Sequence, residues 1–402
     1  MSSLKERIKA GAARLHDEAV RVRRHLHMYP ELSYNEHETS AFVRDYLDRL
    51  GIEHISPVAG TGVVGIIRGC TPGKGPTIGI RADMDALPVT ETSSHIYVSK
   101  NKGVMHACGH DAHTAILLAT ATLLKELRSE YAGTILLVFQ PGEEKAPGGA
   151  RLMIESGVFE KFRPDIFLAL HVLPELNTGT VGFHAGPYMA SCDEIYITVA
   201  GKGGHAAQPS QYTDQVYIAS ELVVALKDTF EKEATDNQPT ILGIGYISGQ
   251  GATNVIPEKV EIAGTFRAFN EKWRKKAKDL IRETASVIAL KRGVKIDVSI
   301  VEGYPVLVNN ESLTSRSEQI TAELLGSENV VEVPVRMGSE DFSFFSERYP
   351  SCLFRLGITP QGGQMKNLHT PLFDIDEQSL TNGIATMTWL AMNLTGSCDR
   401  DK

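Results

Sequence analysis

Met105-His-Ala-Cys-Gly-His-Asp-Ala-His113 is the most informative stretch of this sequence. It places one thiol and several imidazoles together, directly before an apolar run with helical spacing over residues 114–128. Cys108 and His110 are separated only by Gly109, so both side chains can reach one ion while the glycine lets the backbone pass close beneath it. The pattern indicates half of a metal site.

The remaining ligands of such a site must come from elsewhere in the chain, because a divalent ion of this type takes at least three protein groups. Three places downstream offer suitable side chains: Glu143-Glu144, His171 and His369. The first two places follow short apolar runs, which are typical of buried parallel strands. Carboxyl ends of such strands form the rim where open α/β sheets bind ligands. A single histidine is more often a structural residue than a ligand, so the prediction depends on the whole set.

Two further carboxylates follow a predicted strand over residues 77–80. Asp83 and Asp85 lie in Arg81-Ala-Asp-Met-Asp-Ala-Leu-Pro88. At a strand end they could bind a metal, or they could orient a histidine ligand by a hydrogen bond without binding the metal themselves. Loop caps are an equally good interpretation, and the sequence leaves these alternatives open.

The adjacent carboxylates Glu143 and Glu144 suit hydrolytic chemistry. Consecutive side chains at a strand end diverge, so one can bind metal while its neighbour faces a metal-bound water. The metal lowers the pKa of the water, and the free carboxylate takes its proton and later returns it to the leaving amine. We therefore expect Glu144 to be a ligand and Glu143 to be the general base.

Composition excludes several classes of function. The chain has 402 residues, of which 42% are hydrophobic and 22% charged, as expected for an ordinary globular protein with two domains. A formal net charge of −8, with no block rich in lysine and arginine, argues against a nucleic-acid or anionic-membrane partner.

Cysteine usage and the N-terminus bear on the compartment. Five cysteines are scattered over the chain, unlike the dense pattern of a disulfide scaffold, so we expect reduced thiols in a cytoplasm. The N-terminus lacks an apolar signal region, and no apolar stretch approaches the length that spans a bilayer.

The order of helical and strand patterns predicts an α/β fold in two domains. Strands and helices alternate up to residue 187, which predicts a mostly parallel sheet with helices on both faces. Residues 188–303 follow the order βαββαβ, a ferredoxin-like unit. Residues 304–402 resume the first pattern and contain His369, so the smaller domain is inserted into the catalytic, metal-binding one.

At this point the residues resemble the M20 metallopeptidases, and more narrowly their amidohydrolase branch. That branch contains hippurate hydrolases, N-acyl-amino-acid deacetylases and auxin-conjugate hydrolases. The similarity covers nearly the whole chain, in order, through the following motifs: Arg-Ala-Asp-Met-Asp-Ala-Leu-Pro88, Cys-Gly-His-Asp-Ala-His113, Gln-Pro-Gly-Glu-Glu144, His171, Gly-Gly-His-Ala-Ala207, Asn-Val-Ile-Pro257, Gly-Ser-Glu-Asp-Phe342 and Leu-His-Thr-Pro371.

The resemblance implies a zinc-exopeptidase-like fold with two divalent metal ions, of zinc, manganese, nickel or cobalt. Arg81 stands where other branches have a strand-end histidine, and Asp83 would orient a ligand by a hydrogen bond without binding the metal itself. The implied ligands are Cys108, in place of a bridging aspartate, together with His110, Glu144, His171 and His369.

The resemblance also implies roles for the inserted domain as a lid and as a dimerisation module, giving a homodimer or higher homo-oligomer. His205 would stabilise the tetrahedral oxyanion, and Asn254 and Arg267 would bind the substrate carboxylate. Ser210-Gln-Tyr212 stands where relatives usually carry a second histidine, so substrate choice could differ.

The function expected from the sequence is hydrolysis of the amide bond of small N-acyl amino acids. A metallo-dipeptidase or an aminoacylase of the same family is the alternative within the enzyme class. A non-catalytic, metal-stabilised binding protein is the alternative outside it, and the intact Glu143 argues against that alternative because a structural metal site needs no free base.

Overall fold

The computed structural model describes residues 3–71, 74–234 and 239–398. These residues divide into two compact units. The first unit comprises the described residues within Met1–Gly186, Val308–Pro334 and Asp341–Lys402, and the second comprises those within Pro187–Leu307 and Val335–Glu340. The short segment Val335–Glu340 groups with the second unit, although it lies beyond the insertion predicted from the sequence.

A mixed sheet forms the centre of the first unit. Its four central strands are mutually parallel, whereas antiparallel pairs occur towards both edges. Among the described residues, the strands of this sheet in spatial order are Glu53–Val58, Gly62–Arg68, Thr134–Gln140, Thr77–Asp83, Ile166–Asn177, Ser351–Thr359, Val181–Phe183 and Val330–Glu332. The predicted mostly parallel α/β sheet is therefore confirmed.

Helices cover this sheet on both faces. Successive residues of a strand point to opposite faces, and Leu136 and Leu137 are both fully buried, which requires packing on each side. Phe167 stacks on Phe345 on one of these faces, at a ring-centroid distance of 4.4 Å. The helices of the first unit are Leu4–Arg14, His16–Met28, His37–Arg49, His110–Glu126, Gly149–Glu155, Val158–Phe162, Glu311–Leu325, Ser343–Arg348 and Gln378–Leu394.

The helix that follows the opening motif begins earlier than the sequence predicted. It spans His110–Glu126, so His110 lies in its first turn. Gly109 precedes it with a φ of 85°, in the left-handed region that glycine tolerates. A Cβ at this position would lie 2.6 Å from Val172 Cγ2, so only glycine fits the approach of the two chain segments. Gly109 thus fixes how Cys108 and His110 flank the turn.

The second unit has the predicted βαββαβ order. Its antiparallel four-stranded sheet consists, in spatial order, of Thr240–Ser248, Lys259–Ala268, Asp193–Ala200 and Lys295–Glu302. Two helices, Gln215–Glu233 and Glu271–Arg292, pack on this sheet around a separate apolar core. A two-stranded ribbon pairs Gly204–His205 with Val255–Ile256.

The expectation that all cysteines are reduced is wrong for two of them. Cys70 and Cys398 form a disulfide, with their Cα atoms 6.3 Å apart. The backbone of Tyr131 brings the two cysteines together. The Cys70 amide donates to the Tyr131 carbonyl, and Ser397, the residue before Cys398, pairs with Tyr131 in a short ribbon. Sequence patterns do not predict this pair, because the two cysteines are 328 residues apart in the chain. The thiol argument for a cytoplasmic location is lost, and that location stays a prediction.

Within the described parts of the chain, no helix combines the length and the apolar character that crossing a membrane requires.

The disulfide predicts the number of reactive thiols. Cys108, Cys192 and Cys352 are the free cysteines. Denatured, metal-free protein should therefore give three thiols in a colorimetric titration, rising to five after reduction, since the chain has five cysteines. Five thiols before reduction, in protein purified under oxidising conditions, would contradict the pairing.

Candidate metal centre

The structure brings together the five side chains that the sequence nominated as metal ligands. Cys108 and His110 flank the turn before their helix, Glu144 follows the strand Thr134–Gln140, and His369 lies in a late loop. The prediction that His171 follows a strand end is wrong, because the strand Ile166–Asn177 continues past it through the apolar residues Val172 and Leu173. Three-residue groups with ligand atoms within 4.8 Å of one another include Cys108 with His110 and His171, and Cys108 with Glu144 and His369. Cys108 belongs to both groups, as expected for a ligand shared between two ions.

The Cys108 thiol is the centre of this cluster. Its Sγ lies 3.5 Å from His171 Nε2 and 3.3 Å from His369 Nε2. Glu144 Oε1 lies 3.4 Å from His369 Nε2 and 3.9 Å from His110 Nε2. Distances of this size between ligand atoms are those that neighbouring ligands of one ion show, given metal–ligand bonds of about 2.0–2.3 Å.

Hydrogen bonds on the far side of two imidazoles leave their other nitrogen facing the cluster. His171 Nδ1 lies 2.8 Å from the Val172 carbonyl oxygen, which can only accept, so this nitrogen carries the proton. His110 Nδ1 lies 2.9 Å from the Asp85 carbonyl oxygen in the same way. With the imidazole neutral, the lone pair of each Nε2 then faces the cluster, which is the tautomer that metal-binding histidines adopt.

Two polar atoms of the cluster are buried without a hydrogen-bond partner. These atoms are His110 Nε2 and Glu144 Oε1. Leaving such groups unpaired costs about 1–3 kcal/mol each. A divalent cation bound by both would remove that cost, and the donor set of one thiol, three imidazoles and one carboxylate suits transition-metal ions. The residues present therefore fit the two cations that the sequence predicted.

His113 faces the same region but has no free lone pair. Its Nε2 accepts a hydrogen bond of 3.0 Å from the Val172 amide, and its Nδ1 lies 2.6 Å from Asp83 Oδ1. The proton is accordingly on Nδ1, and His113 connects the Asp83 carboxylate to the strand that carries His171. Asp83 thus lies beside the cluster, with its Oδ2 3.5 Å from His110 Nε2.

The electrostatics of the protein groups favour a bound cation. Burial, followed by the negative charge of Glu144, raises the pKa of the Cys108 thiol, so a thiolate here requires nearby positive charge. Burial and the charge of Arg355 lower the pKa of His171 well below its usual value, which keeps its imidazole neutral. The adjacent Cys108 thiol and Glu144 carboxylate raise the pKa of His369 to about 10, and a bound metal ion would replace the proton that His369 then carries.

Glu143 lies beside the ligand cluster. The strand Thr134–Gln140 ends just before it, so the predicted strand-end position is confirmed for this pair of carboxylates. Glu143 forms a third close group with His110 and Glu144, with ligand atoms within 4.8 Å of one another. Its side chain is buried.

The three substrate-binding candidates belong to the second unit. His205 and Asn254 are neighbours across the short ribbon, since the Ala206 amide donates to the Asn254 carbonyl. His205 Nδ1 accepts a hydrogen bond of 3.1 Å from the Ala207 amide, which leaves an N–H on Nε2 that can donate. Arg267 is half-buried and donates to the Met337 carbonyl oxygen at 2.9 Å. It is thus held by its own unit and is more than a solvated surface charge.

Sequence reasoning left some positioning residues unassigned. The sequence leaves Asp85 open between a metal ligand, a group that orients a ligand and a loop cap, and in the structure its carbonyl and carboxylate oxygens both contact His110 Nδ1. Arg81 is buried, donating to Asp83 Oδ2 at 2.7 Å and to Asp341 Oδ1 at 2.9 Å. The charge of Arg81 in a buried strand could have revealed its role, because a buried charge requires partners.

Comparison with known proteins places this site in a family. Residues 79–393 match the family model of peptidase family M20/M25/M40. The chain is 39% identical over 372 residues to an IAA-amino acid hydrolase ILR1-like 4 of Arabidopsis thaliana, covering 91% of this chain and 83% of that protein. It is 37% identical over 390 residues to an N-acetyl-L-cysteine deacetylase of Bacillus subtilis (strain 168), covering 96% and 91% of the two chains.

A solved structure gives the same result. The YXEP protein of Bacillus subtilis, described as a dinuclear metal binding peptidase from the M20 family, superposes with a TM-score of 0.83. It is 32% identical in sequence, and the match covers 95% of this chain and 99% of that one. With the five-residue cluster, the family match and these relatives together, the chain belongs to peptidase family M20/M25/M40, in its amidohydrolase branch, and is a metal-dependent hydrolase.

Proposed function

We propose that this protein hydrolyses the amide bond of N-acyl amino acids, with Glu143 as the general base at a dinuclear centre. The observation that carries the proposal is the pair of adjacent carboxylates, of which Glu144 points an unpaired oxygen at the histidine cluster while Glu143 lies next to it. The relatives named for IAA-amino acids and N-acetyl-L-cysteine point to the same substrate class.

The ligand assignment follows from the two close groups. Cys108 would bridge the ions, and the remaining donors would divide between them: His110, Glu144, His171 and His369. Asp83 would orient its neighbours from outside the ligand set. When bound, two divalent cations supply a water of lowered pKa and polarise the amide carbonyl.

The protein groups then move the proton. Glu143 accepts a proton from the attacking water and returns it to the nitrogen of the leaving amino acid. The buried surroundings of Glu143 exclude bulk water, which strengthens its interaction with charge that develops in the transition state. Such a base contributes typically about 10²–10⁴-fold to the rate.

The second unit would complete the substrate site. The Nε2–H of His205 is free to donate to the developing oxyanion, because its Nδ1 is already an acceptor. Asn254 lies next to His205 on the ribbon, and the guanidinium of Arg267 suits bidentate binding of an α-carboxylate. We propose that this unit acts as a lid, that it also carries the dimer contact, and that the protein works in the cytoplasm.

A panel of substrates tests the proposal. Chelated protein should be inactive, and reconstitution with zinc, manganese, nickel or cobalt should restore hydrolysis of hippurate or N-acetyl amino acids. Activity confined to dipeptides, or to long-chain acyl groups, would favour the dipeptidase or aminoacylase alternative. No hydrolysis with any ion would favour a metal-stabilised binding protein.

The Glu143→Gln variant separates the base from the ligands. We expect it to keep its metal content and to lose at least about a hundredfold in kcat, because an amide cannot accept the proton of the attacking water. Glu144→Gln is the matched variant at the adjacent position, and it should lose metal as well as activity. Full activity of Glu143→Gln at normal metal content would overturn the assignment of the base.

Variants of the second unit test the substrate-binding roles. His205→Ala should keep its metal content and lose about a hundredfold or more in kcat, as expected when an oxyanion donor is removed. Arg267→Ala should mainly raise KM for substrates with a free carboxylate. The control is the amidated form of the same substrate, which has no carboxylate to bind. Equal losses on both substrates would contradict the role of Arg267, and near-normal activity of His205→Ala would contradict the oxyanion role.

A further inference from the structure

A second histidine–carboxylate cluster lies in the first unit, built from residues outside the proposed ligand set. His27 is on the helix His16–Met28, while Glu91 and His95 lie in the loop that follows the strand Thr77–Asp83. The ligand atoms of these three side chains all lie within 4.8 Å of one another. We propose that they bind an additional divalent transition-metal ion, such as Zn²⁺, at a mononuclear site.

The distances suit a single ion. Glu91 Oε1 lies 3.3 Å from His27 Nε2 and 3.0 Å from His95 Nε2. Two ligands of a tetrahedral zinc ion, each about 2.0–2.1 Å from the metal, are separated by about 3.4 Å. The carboxylate oxygen therefore faces both imidazoles at the spacing that shared coordination requires.

His95 has the geometry of a metal ligand. Both of its ring nitrogens are shielded from solvent, and neither makes a hydrogen bond of acceptable direction. The short contact between its Nε2 and Glu91 Oε1 is thus not a hydrogen bond along the N–H direction. Atoms that coordinate one cation aim at the ion between them and not at each other. The His95 ring is also held in place, because it stacks on Tyr97 with a centroid distance of 3.9 Å.

The other two ligands are oriented by hydrogen bonds on their far sides. His27 Nδ1 lies 2.7 Å from Asp111 Oδ2, the arrangement of carboxylate, histidine and metal that fixes the tautomer of a ligand. Glu91 Oε2 accepts a hydrogen bond of 2.6 Å from the Ser99 amide, which leaves Oε1 to face the imidazoles. Hydrogen-bonding partners of this kind are typical of the ligands in protein metal sites.

Among the described residues, Glu91 differs from the carboxylates around it, because no lysine or arginine pairs with it. Arg23 pairs with Asp111 and Asp374, and Arg24 pairs with Glu377. Lys366 also pairs with Asp374. In the ion pairs found among the described residues, Glu91 contacts only the two histidines, and its side chain is 2% exposed. A carboxylate buried to this extent requires a positive charge.

A proton on His27 could supply that charge, but it would leave the nitrogens of His95 unpaired. A metal ion satisfies Glu91, His27 and His95 together. His95 lines a cleft of about 640 Å³ that is bordered by Lys366 and Asn367, so the cluster lies beside a solvent-filled cleft. The donor set of two imidazoles and one carboxylate suits zinc and its neighbours better than calcium or magnesium.

Metal counting on three variants tests the additional site. Chelated protein is dialysed against Zn²⁺, and bound metal is measured by mass spectrometry with inductively coupled plasma. We expect His95→Ala and Glu91→Gln each to bind one equivalent less than wild type, whereas His37→Ala, which removes an exposed histidine, should bind as much as wild type. Two independent ligand variants keep the test valid should one of them fold poorly.

Cobalt substitution identifies which site has lost its ion. In the His95→Ala variant, visible d–d absorption should fall, while the near-ultraviolet charge-transfer band of the Cys108 thiolate should be unchanged. The difference of one equivalent does not depend on the catalytic activity or on the metal number of the proposed dinuclear centre. Equal metal content in wild type, His95→Ala and Glu91→Gln would overturn the proposal.

Discussion

The buried carboxylate of Asp83 is the constraint on which the centre depends. It accepts from Arg81 at 2.7 Å and pairs with His113 at 2.6 Å, and all three side chains are buried. Burial alone would raise the pKa of Asp83, but Arg81 and the neighbouring histidines lower it well below its usual value. Because removing one member of such a network leaves an unpaired buried charge, the network holds its members in one arrangement.

This network connects the strands that carry the chemistry. Arg81 reaches Asp341, and Gln140, at the end of the strand before Glu143, also donates to Asp341. On the other side His113 accepts from the Val172 amide, next to His171. A single set of hydrogen bonds thus fixes the ends of neighbouring strands, and the cluster around Cys108 takes its geometry from them. Preorganisation of this kind is what a metal centre needs from its protein.

Much of this arrangement could be predicted from the sequence, because short apolar runs stop where ligand-type residues appear. Glu144 follows from that pattern once parallel strands are assumed, whereas the strand of His171 continues to Asn177 and the pattern placed its end too early. The contacts that could not be predicted join distant residues without a spacing motif. Cys70 and Cys398 are 328 positions apart, and His27 and Glu91 are 64 positions apart. The early start of the helix at His110 depended on the left-handed turn at Gly109, which helical periodicity does not reveal.

We propose that Cys108 is a thiolate shared by two metal ions, and the rate at which Cys108 is alkylated is the sharpest test of this role. Alkylation of Cys108 should be slow in metal-loaded protein and should become faster as a chelator removes the ions, and two equivalents of metal should restore the protection. Cys192 is partly exposed and lies in the second unit, so its alkylation provides an internal control that metal should not change. Peptide mapping resolves the rate at each cysteine, and equal rates at Cys108 with and without metal would show that this thiol binds no ion.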